Sequence, residues 1–470
     1  MEAFAAYTAQ TDYEVGRVLD ALEQVGQLHN TLIFWIIGDN GASMEGTLYG
    51  AFNEMAALGG IPEDPAFILK HLDEIGGPNS YNHYPVGWAW AMNTPFQWGK
   101  QIASHLGGVR NPLVIAWPDR INDRGGVRTQ FHHVIDIAPT ILEVAKILEP
   151  KEVNGVKQKP MEGVSMVYSF DKARAEGTRH VQYFEMFGNR ALYKDGWIAA
   201  ARHGRLPWTL GSYDFDKDTW ELYDLTHDFS EGNDLAPKHP DKLKELQDAF
   251  WAEAEKYQVL PLDDRLMERA DPTLRPSLIE GRTSYTYYPG RVRIPESSAA
   301  QTKNRSHTIT AYVDVPQGGA DGVLVAEGGV VGGFALYIKD GRPTYEYNYI
   351  TQDRYKVSSS EVLSPGPNVI RMEFRYDGGL GKGGTAVLFV NDKKVGEGRI
   401  EKTAWGRFSA DETFDIGEDT GSPVSNNYAS PNRFIGTIKK VEIDTQPANL
   451  SGAERQTLRS MERKARLAVE

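Results

Sequence analysis

The chain has 470 residues, 40% of them apolar and 11% aromatic, with a net charge of −13 and no cysteine. Such a length supports a folded protein of two or three domains, and the acidity, with no basic patch to offset it, excludes a nucleic-acid partner. Disulfides, zinc-thiolate sites and cysteine nucleophiles are excluded, no apolar run reaches the length of a membrane span, and the compartment stays open.

In chain order, Val15, Val18, Leu19, Leu22 and Val25 recur three or four apart among charged residues, which predicts an amphipathic helix over residues 10–27. The apolar run at 31–37 ends abruptly in Gly38-Asp39-Asn40-Gly41. An apolar run bounded by turn formers predicts a parallel strand buried on both faces, and ligand sites lie beyond the carboxyl ends of such strands. Asp39 and Asn40 are oxygen donors suited to a hard cation such as calcium or magnesium; the same residues are also ordinary turn formers. Residues 42–93 are rich in Gly, Pro, Asn and aromatics with little periodicity, which reads as an ordered functional loop. There Trp88, Trp90 and His83, and Trp98 just beyond, either face an aromatic substrate or pack the loop. Lys100 on residue type alone is a solvated surface cation. His105, ahead of Gly107-Gly108, is either a hydrogen-bonding site residue or a structural histidine, and Arg110 reads as structural.

A strand follows at 113–117. His132, His133 and Asp136 resemble a metal pair only superficially, because adjacent side chains do not share a helix face and the run through Glu143 fits a helix packing beside a sheet. Asp195-Gly196 predicts a hairpin, residues 220–225 a strand, and Leu243, Leu246, Phe250 and Ala254 an amphipathic helix over 240–256. The first domain is drawn at 1–265 and a linker at 266–300. Over 301–446, β-formers alternate around turn signals at Asp340-Gly341 and Asn391-Asp392, which predicts a β-sandwich. Within it the acidic, Gly-rich stretch at 414–421 is either a cation or sugar site or a rim turn. Residues 447–470 read as a helical tail carrying Leu458, Met461 and Leu467.

The succession of helix, apolar strand and Gly38-Asp39-Asn40-Gly41, then Thr94-Pro-Phe-Gln-Trp-Gly-Lys100 and a further strand, resembles the sulfatase family, in particular bacterial arylsulfatases of the alkaline phosphatase superfamily. The resemblance implies an α/β fold: the carboxyl-terminal part of an alkaline-phosphatase-like sulfatase domain, a mixed sheet with flanking helices, followed by the all-β sandwich. It implies that Asp39 and Asn40 bind an active-site calcium, that Lys100 contacts the sulfate with His105 as its catalytic neighbour, and that the substrate is a sulfated small molecule or sulfated glycan. The family's nucleophile is a formylglycine made from Cys or Ser in a Cys/Ser-x-Pro-x-Arg frame. Three x-x-Pro-x-Arg frames occur here, and they begin with Ala116, Tyr287 and Ala429, so none can supply it. The chain therefore reads as an amino-terminally truncated sulfatase, expected to be inactive alone, and two accounts of the missing half stay open: a separate chain that supplies it, or a misassigned gene start. Leu32, Phe34 and Ile36 are then expected to lack neighbours on one side. Two other classes stay open: a non-catalytic protein whose sandwich binds carbohydrate or another chain, and a phosphoesterase of the same superfamily, although the latter needs more His and Asp ligands than Gly38-Asp39-Asn40-Gly41 offers.

Overall fold

The computed structural model describes residues 1–58, 61, 63–204, 206, 213–265 and 277–457. They fall into two units, one of Met1–Met44 with Val86–Asp264 and one of Glu45–Pro85 with Arg265–Glu470. Part of the predicted linker (266–276) and the tail residues Leu458, Met461 and Leu467 lie outside the described residues.

In the first unit the predicted amphipathic helix begins earlier than its periodicity suggests, at Glu2–Gln24, and buries none of its residues. Strand β1 (Ile33–Ile36) pairs with β2 (Leu113–Ala116), and the pairing is antiparallel, Ile33 opposite Ala116 and Ile36 opposite Leu113. The expected parallel strand covered on both faces is therefore corrected: among the described residues the ladder has two strands, and Ile36, Ile37 and Val114 are 40%, 50% and 53% exposed. An apolar run carries no direction, so it could not reveal which way its neighbour runs.

Four further strands form an antiparallel meander in sequential order: β3 (Val181–Met186), β4 (Asn189–Lys194), β5 (Trp197–Ala201) and β6 (Trp220–Asp224). Asp195 and Gly196, with φ of 47° and 87°, make the two-residue β4–β5 turn, a conformation that Asp-Gly adopts readily. The helix Pro240–Lys256 starts on a proline, whose missing N–H is no loss there, and lays Leu246, Phe250 and Ala254 on Leu192, Ala199 and Leu222 of this sheet.

The helix Ile137–Ala145 is anchored by Asp136, which is fully buried. Its carboxylate accepts two hydrogen bonds from Arg179 Nε (3.1 and 3.0 Å), a third from Arg179 Nη2, and the backbone N–H of His133 (2.9 Å) and Val164 (2.8 Å). His132 Nδ1 stands 3.9 Å from the same carboxylate, too far for a hydrogen bond, so the cluster is structural.

The second unit holds two antiparallel sheets. The strands are β7 (Ser284–Tyr287), β8 (His307–Val315), β9 (Gly322–Gly329), β10 (Gly332–Lys339), β11 (Arg342–Tyr349), β12 (Asp353–Ser358), β13 (Gly366–Tyr376), β14 (Gly384–Val390), β15 (Lys393–Ile400), β16 (Phe414–Ile416) and β17 (Thr437–Thr445). One sheet has the order β15-β14-β13-β8-β17-β7, the other β12-β11-β10-β9-β16. Burial alternates along β8, with Ile309, Ala311, Val313 and Val315 turned into a core shared with Leu336, Tyr345, Ile370, Met372 and Val441. The predicted linker is corrected at one point: residues 284–287 are the edge strand β7, paired with β17.

Residues 45–85, drawn from sequence as part of the first domain, belong to this second unit. Met55, Ala56 and Ile61 join the sandwich core. Asn53, fully buried, donates through Nδ2 to the carbonyls of Val331 (2.9 Å) and Ile350 (3.3 Å), while its Oδ1 accepts from Met55 N–H (3.0 Å).

Candidate functional site

β1 runs out into Gly38, whose φ of 87° turns the chain so that Asp39 is exposed and Asn40 half-buried. The loop is then stitched to the Lys100 segment by main-chain hydrogen bonds: Gly41 N–H donates to Gly108 C=O at 3.0 Å, and Lys100 N–H to Ala42 C=O at 3.1 Å. Asn93 joins both sides, its Oδ1 accepting from Ala42 N–H (3.0 Å) and its Nδ2 donating to the carbonyls of Trp98 (2.6 Å) and Gly107 (2.5 Å). Glycines make the approach possible, since a Cβ on Gly41 would sit 1.7 Å from Gly107 O, and one on Gly107 1.9 Å from Gln97 O. The sequence elements carrying Asp39, Asn40 and Lys100 are thus drawn to one glycine-lined seam.

His105 lies on the inner side of that seam and is 1% exposed. Its Nδ1 is 2.9 Å from Ser104 Oγ and its Nε2 2.9 Å from Glu221 Oε2, a carboxylate that also accepts from Tyr223 OH at 2.8 Å. The hydrogen bond from His105 holds the Glu221 carboxyl below its usual range despite partial burial. Both ring nitrogens are thus engaged inside the protein. Glu231 closes the network: its Oε2 accepts from Leu106 N–H at 2.9 Å, and its own carbonyl accepts from Gln97 Nε2. Arg110 is held between the rings of Phe96 and Phe229, 5.1 and 5.0 Å from their centres. Beside Glu221 a cleft of about 630 Å³ is lined by Arg202, Tyr213, Lys217 and Asp218, and Arg202 lies 4.8 Å over the Trp98 ring.

Sequence reasoning missed Asn93, Glu221 and Glu231. The available signals were slight: one amide at the end of the apolar helix Val86–Asn93, and an acid between Trp220 and Leu222 in a strand. Of the four aromatic candidates, Trp88 and Trp90 are 49% and 48% exposed, Trp98 packs edge-on against Trp90, and His83 belongs to the second unit.

Burial pushes the Glu231 carboxyl up to about 7 from its ordinary 4.5. Because the folded value is the higher, the contribution to stability is complete below the ordinary value and is lost as the pH rises through about 7. Glu231→Gln keeps an acceptor for Leu106 and removes the buried charge. It is expected to raise stability above neutrality by about 1–3 kcal/mol and to flatten the pH dependence between the two values, as read from urea unfolding at several pH values.

Asp39 and Asn40 are the right kind of ligand for calcium but not enough of them, since calcium takes about 6–8 oxygens. Among the described residues, Asp39 belongs to no group of three His, Asp or Glu ligand atoms.

Two family models match overlapping parts of this region: Sulfatase over residues 1–147, and N-sulphoglucosamine sulphohydrolase, C-terminal, over residues 100–259. Residues 1–259 are thus similar to the sulfatase family. The chain is 31% identical to an uncharacterized sulfatase of Schizosaccharomyces pombe over 274 residues, 57% of this chain and 46% of that protein. It is 29% identical to the arylsulfatase of Klebsiella aerogenes over 167 residues, 35% of this chain and 34% of that one, and 25% identical to a sulfatase of Formosa agariphila over 244 residues, 50% and 36%. The chain thus spans less than half the length of each of these sulfatases. No helix among the described residues is long and apolar enough to cross a membrane.

Proposed function

We propose that this chain carries part of the active site of a calcium-dependent sulfate-ester hydrolase, with Asp39 and Asn40 contributing metal ligands and Lys100 gripping the sulfate. The observation that supports the reading is the seam: Gly41 N–H to Gly108 C=O and Lys100 N–H to Ala42 C=O tie the loop that bears the oxygen donors to the segment that bears the cation. An ammonium is a compact point charge, suited to a sulfate oxygen and to the charge that develops on the leaving oxygen. His105, locked between Ser104 and Glu221, orients that segment without touching substrate. A bound calcium would neutralise the sulfate's charge. The substrate is a sulfated small molecule or sulfated glycan.

The 470 residues contain no Cys, and none of their x-x-Pro-x-Arg frames begins with Ser, so the formylglycine nucleophile cannot be generated within them. The purified chain is accordingly expected to show no hydrolysis of a generic aryl sulfate in the presence of calcium. A longer form of the protein carrying a Cys/Ser-x-Pro-x-Arg sequence is expected to be active, and Lys100→Ala in that form to lower kcat by about 100- to 1000-fold. Clear activity from the 470-residue chain would overturn the reading, as would full activity of Lys100→Ala.

A further inference from the structure

A second constellation lies within the 45–85 segment. Glu45, Glu54 and His83, all half-buried, each bring one ligand atom to within 4.8 Å of the others. Main-chain pairing brings the segment of Glu54 to that of His83: Ala51 N–H to His83 C=O (2.9 Å), His83 N–H to Ala51 C=O (3.0 Å), and Glu54 N–H to Tyr81 C=O (2.8 Å).

The imidazole is oriented in the manner of a metal ligand. His83 Nδ1 lies 2.7 Å from the Tyr84 carbonyl, which can only accept, so Nδ1 carries a proton and Nε2 is the ring nitrogen through which a metal would be bound. A hydrogen bond from the far nitrogen to a backbone carbonyl is how metal-bound imidazoles are commonly fixed in tautomer and direction. Gly46 lies against that same side, where a Cβ would stand 2.4 Å from Nδ1 and 2.0 Å from Tyr84 O, so the ring is backed by main chain there. Two carboxylates balance the charge of a divalent ion. One imidazole nitrogen with two carboxylate oxygens suits a borderline cation, whereas calcium and magnesium favour oxygen alone.

We propose that Glu45, Glu54 and His83 form a divalent transition-metal site, with Zn²⁺ its best occupant. Three protein ligands leave a fourth position for water. Glu45 and His83 stand at the two ends of the 45–85 segment, so an ion between them fastens its neck. The proposal is independent of the sulfate-ester reading, because none of these residues contributes to the seam.

The test is calorimetric titration of the full chain with Zn²⁺ in excess calcium, paired with thermal unfolding. One ion per chain is expected, with a rise in Tm that follows its concentration. Glu54→Gln, which preserves volume, and His83→Ala are each expected to weaken binding by about 10-fold or more and to remove the Tm rise. His227→Ala, which deletes an exposed His–Asp224 pair, is expected to leave the stoichiometry unchanged. Absence of saturable binding, displacement by calcium, undiminished binding in Glu54→Gln, or loss of binding in His227→Ala would overturn the proposal. If His83→Ala fails to fold, Glu54→Gln carries the test alone.

Discussion

Asp136→Ala is expected to destabilise the first unit by about 3–5 kcal/mol, because it strands the Arg179 guanidinium inside the protein. Arg179 has side-chain exposure of 7% and Asp136 of 0%, so solvent does little to screen either charge. Burial by itself would raise the Asp136 carboxyl, but the Arg179 bonds and the two backbone N–H donors outweigh it and hold the group below its ordinary 3.8. The stabilisation is therefore fully present above that ordinary value and is lost as the pH falls through the lower, folded one. The substitution also frees the N–H groups of His133 and Val164, which position the start of the helix Ile137–Ala145 and the chain before the meander. Urea unfolding of the variant against the parent, at neutral pH and in acid, measures the loss. A change under about 1 kcal/mol would show that water relaxes into the site and that the pair is less dry than its geometry indicates.

Lys303→Met is expected to have a comparable effect on the second unit, about 3–5 kcal/mol. Lys303 Nζ is buried 2.6 Å from Glu296 Oε1 and 3.4 Å from Glu327 Oε1, with the Phe408 ring centre at 3.9 Å. Burial pushes Glu327 up to about 7, and its Oε2 has no hydrogen-bond partner, so a single ammonium serves two carboxylates that share poor solvation. Methionine matches the length of lysine but removes the only charge that opposes them in this triad. Adding Glu327→Gln to Lys303→Met is expected to recover part of the loss, because one of the two uncompensated charges is then gone. A double-mutant cycle read by guanidinium unfolding would expose that coupling. Simple additivity would mean that Glu327 is already protonated in the parent at the pH used.

Much of the architecture is written in short-range pattern. The helix Pro240–Lys256 was bounded to the residue by its proline and its apolar stripe, and Asp195-Gly196 marked the turn between β4 and β5. Strands with clean alternation, such as β8 and β13, could be read within a residue or two. What escaped has a common physical cause. β11 runs Arg-Pro-Thr-Tyr-Glu-Tyr-Asn-Tyr with Glu346 and Asn348 buried alongside Tyr345 and Tyr347. Its polar residues are satisfied by partners brought from elsewhere, including Ser425 to Glu346 at 2.6 Å and Asn348 to Val330 C=O at 2.8 Å, so no local pattern reveals that the strand is inside. The candidate site divides the same way. Asp39, Asn40 and Lys100 stand in recognisable segments, whereas the amide and acids that hold those segments, Asn93, Glu221 and Glu231, gain their meaning only from partners that the fold brings to them.

The burial of Asn53 has a consequence for how this protein could be recombined. Its amide serves carbonyls of Val331 and Ile350, and Met55, Ala56 and Ile61 complete the same core. The polypeptide therefore changes unit at residues 44–45, 85–86 and 264–265, three crossings where a detachable cassette has one. A gene fragment starting at residue 265 would encode every strand of the sandwich and still lack part of its interior. Transplanting this β-domain onto another protein, whether by domain shuffling or at the bench, requires carrying residues 45–85 along with it.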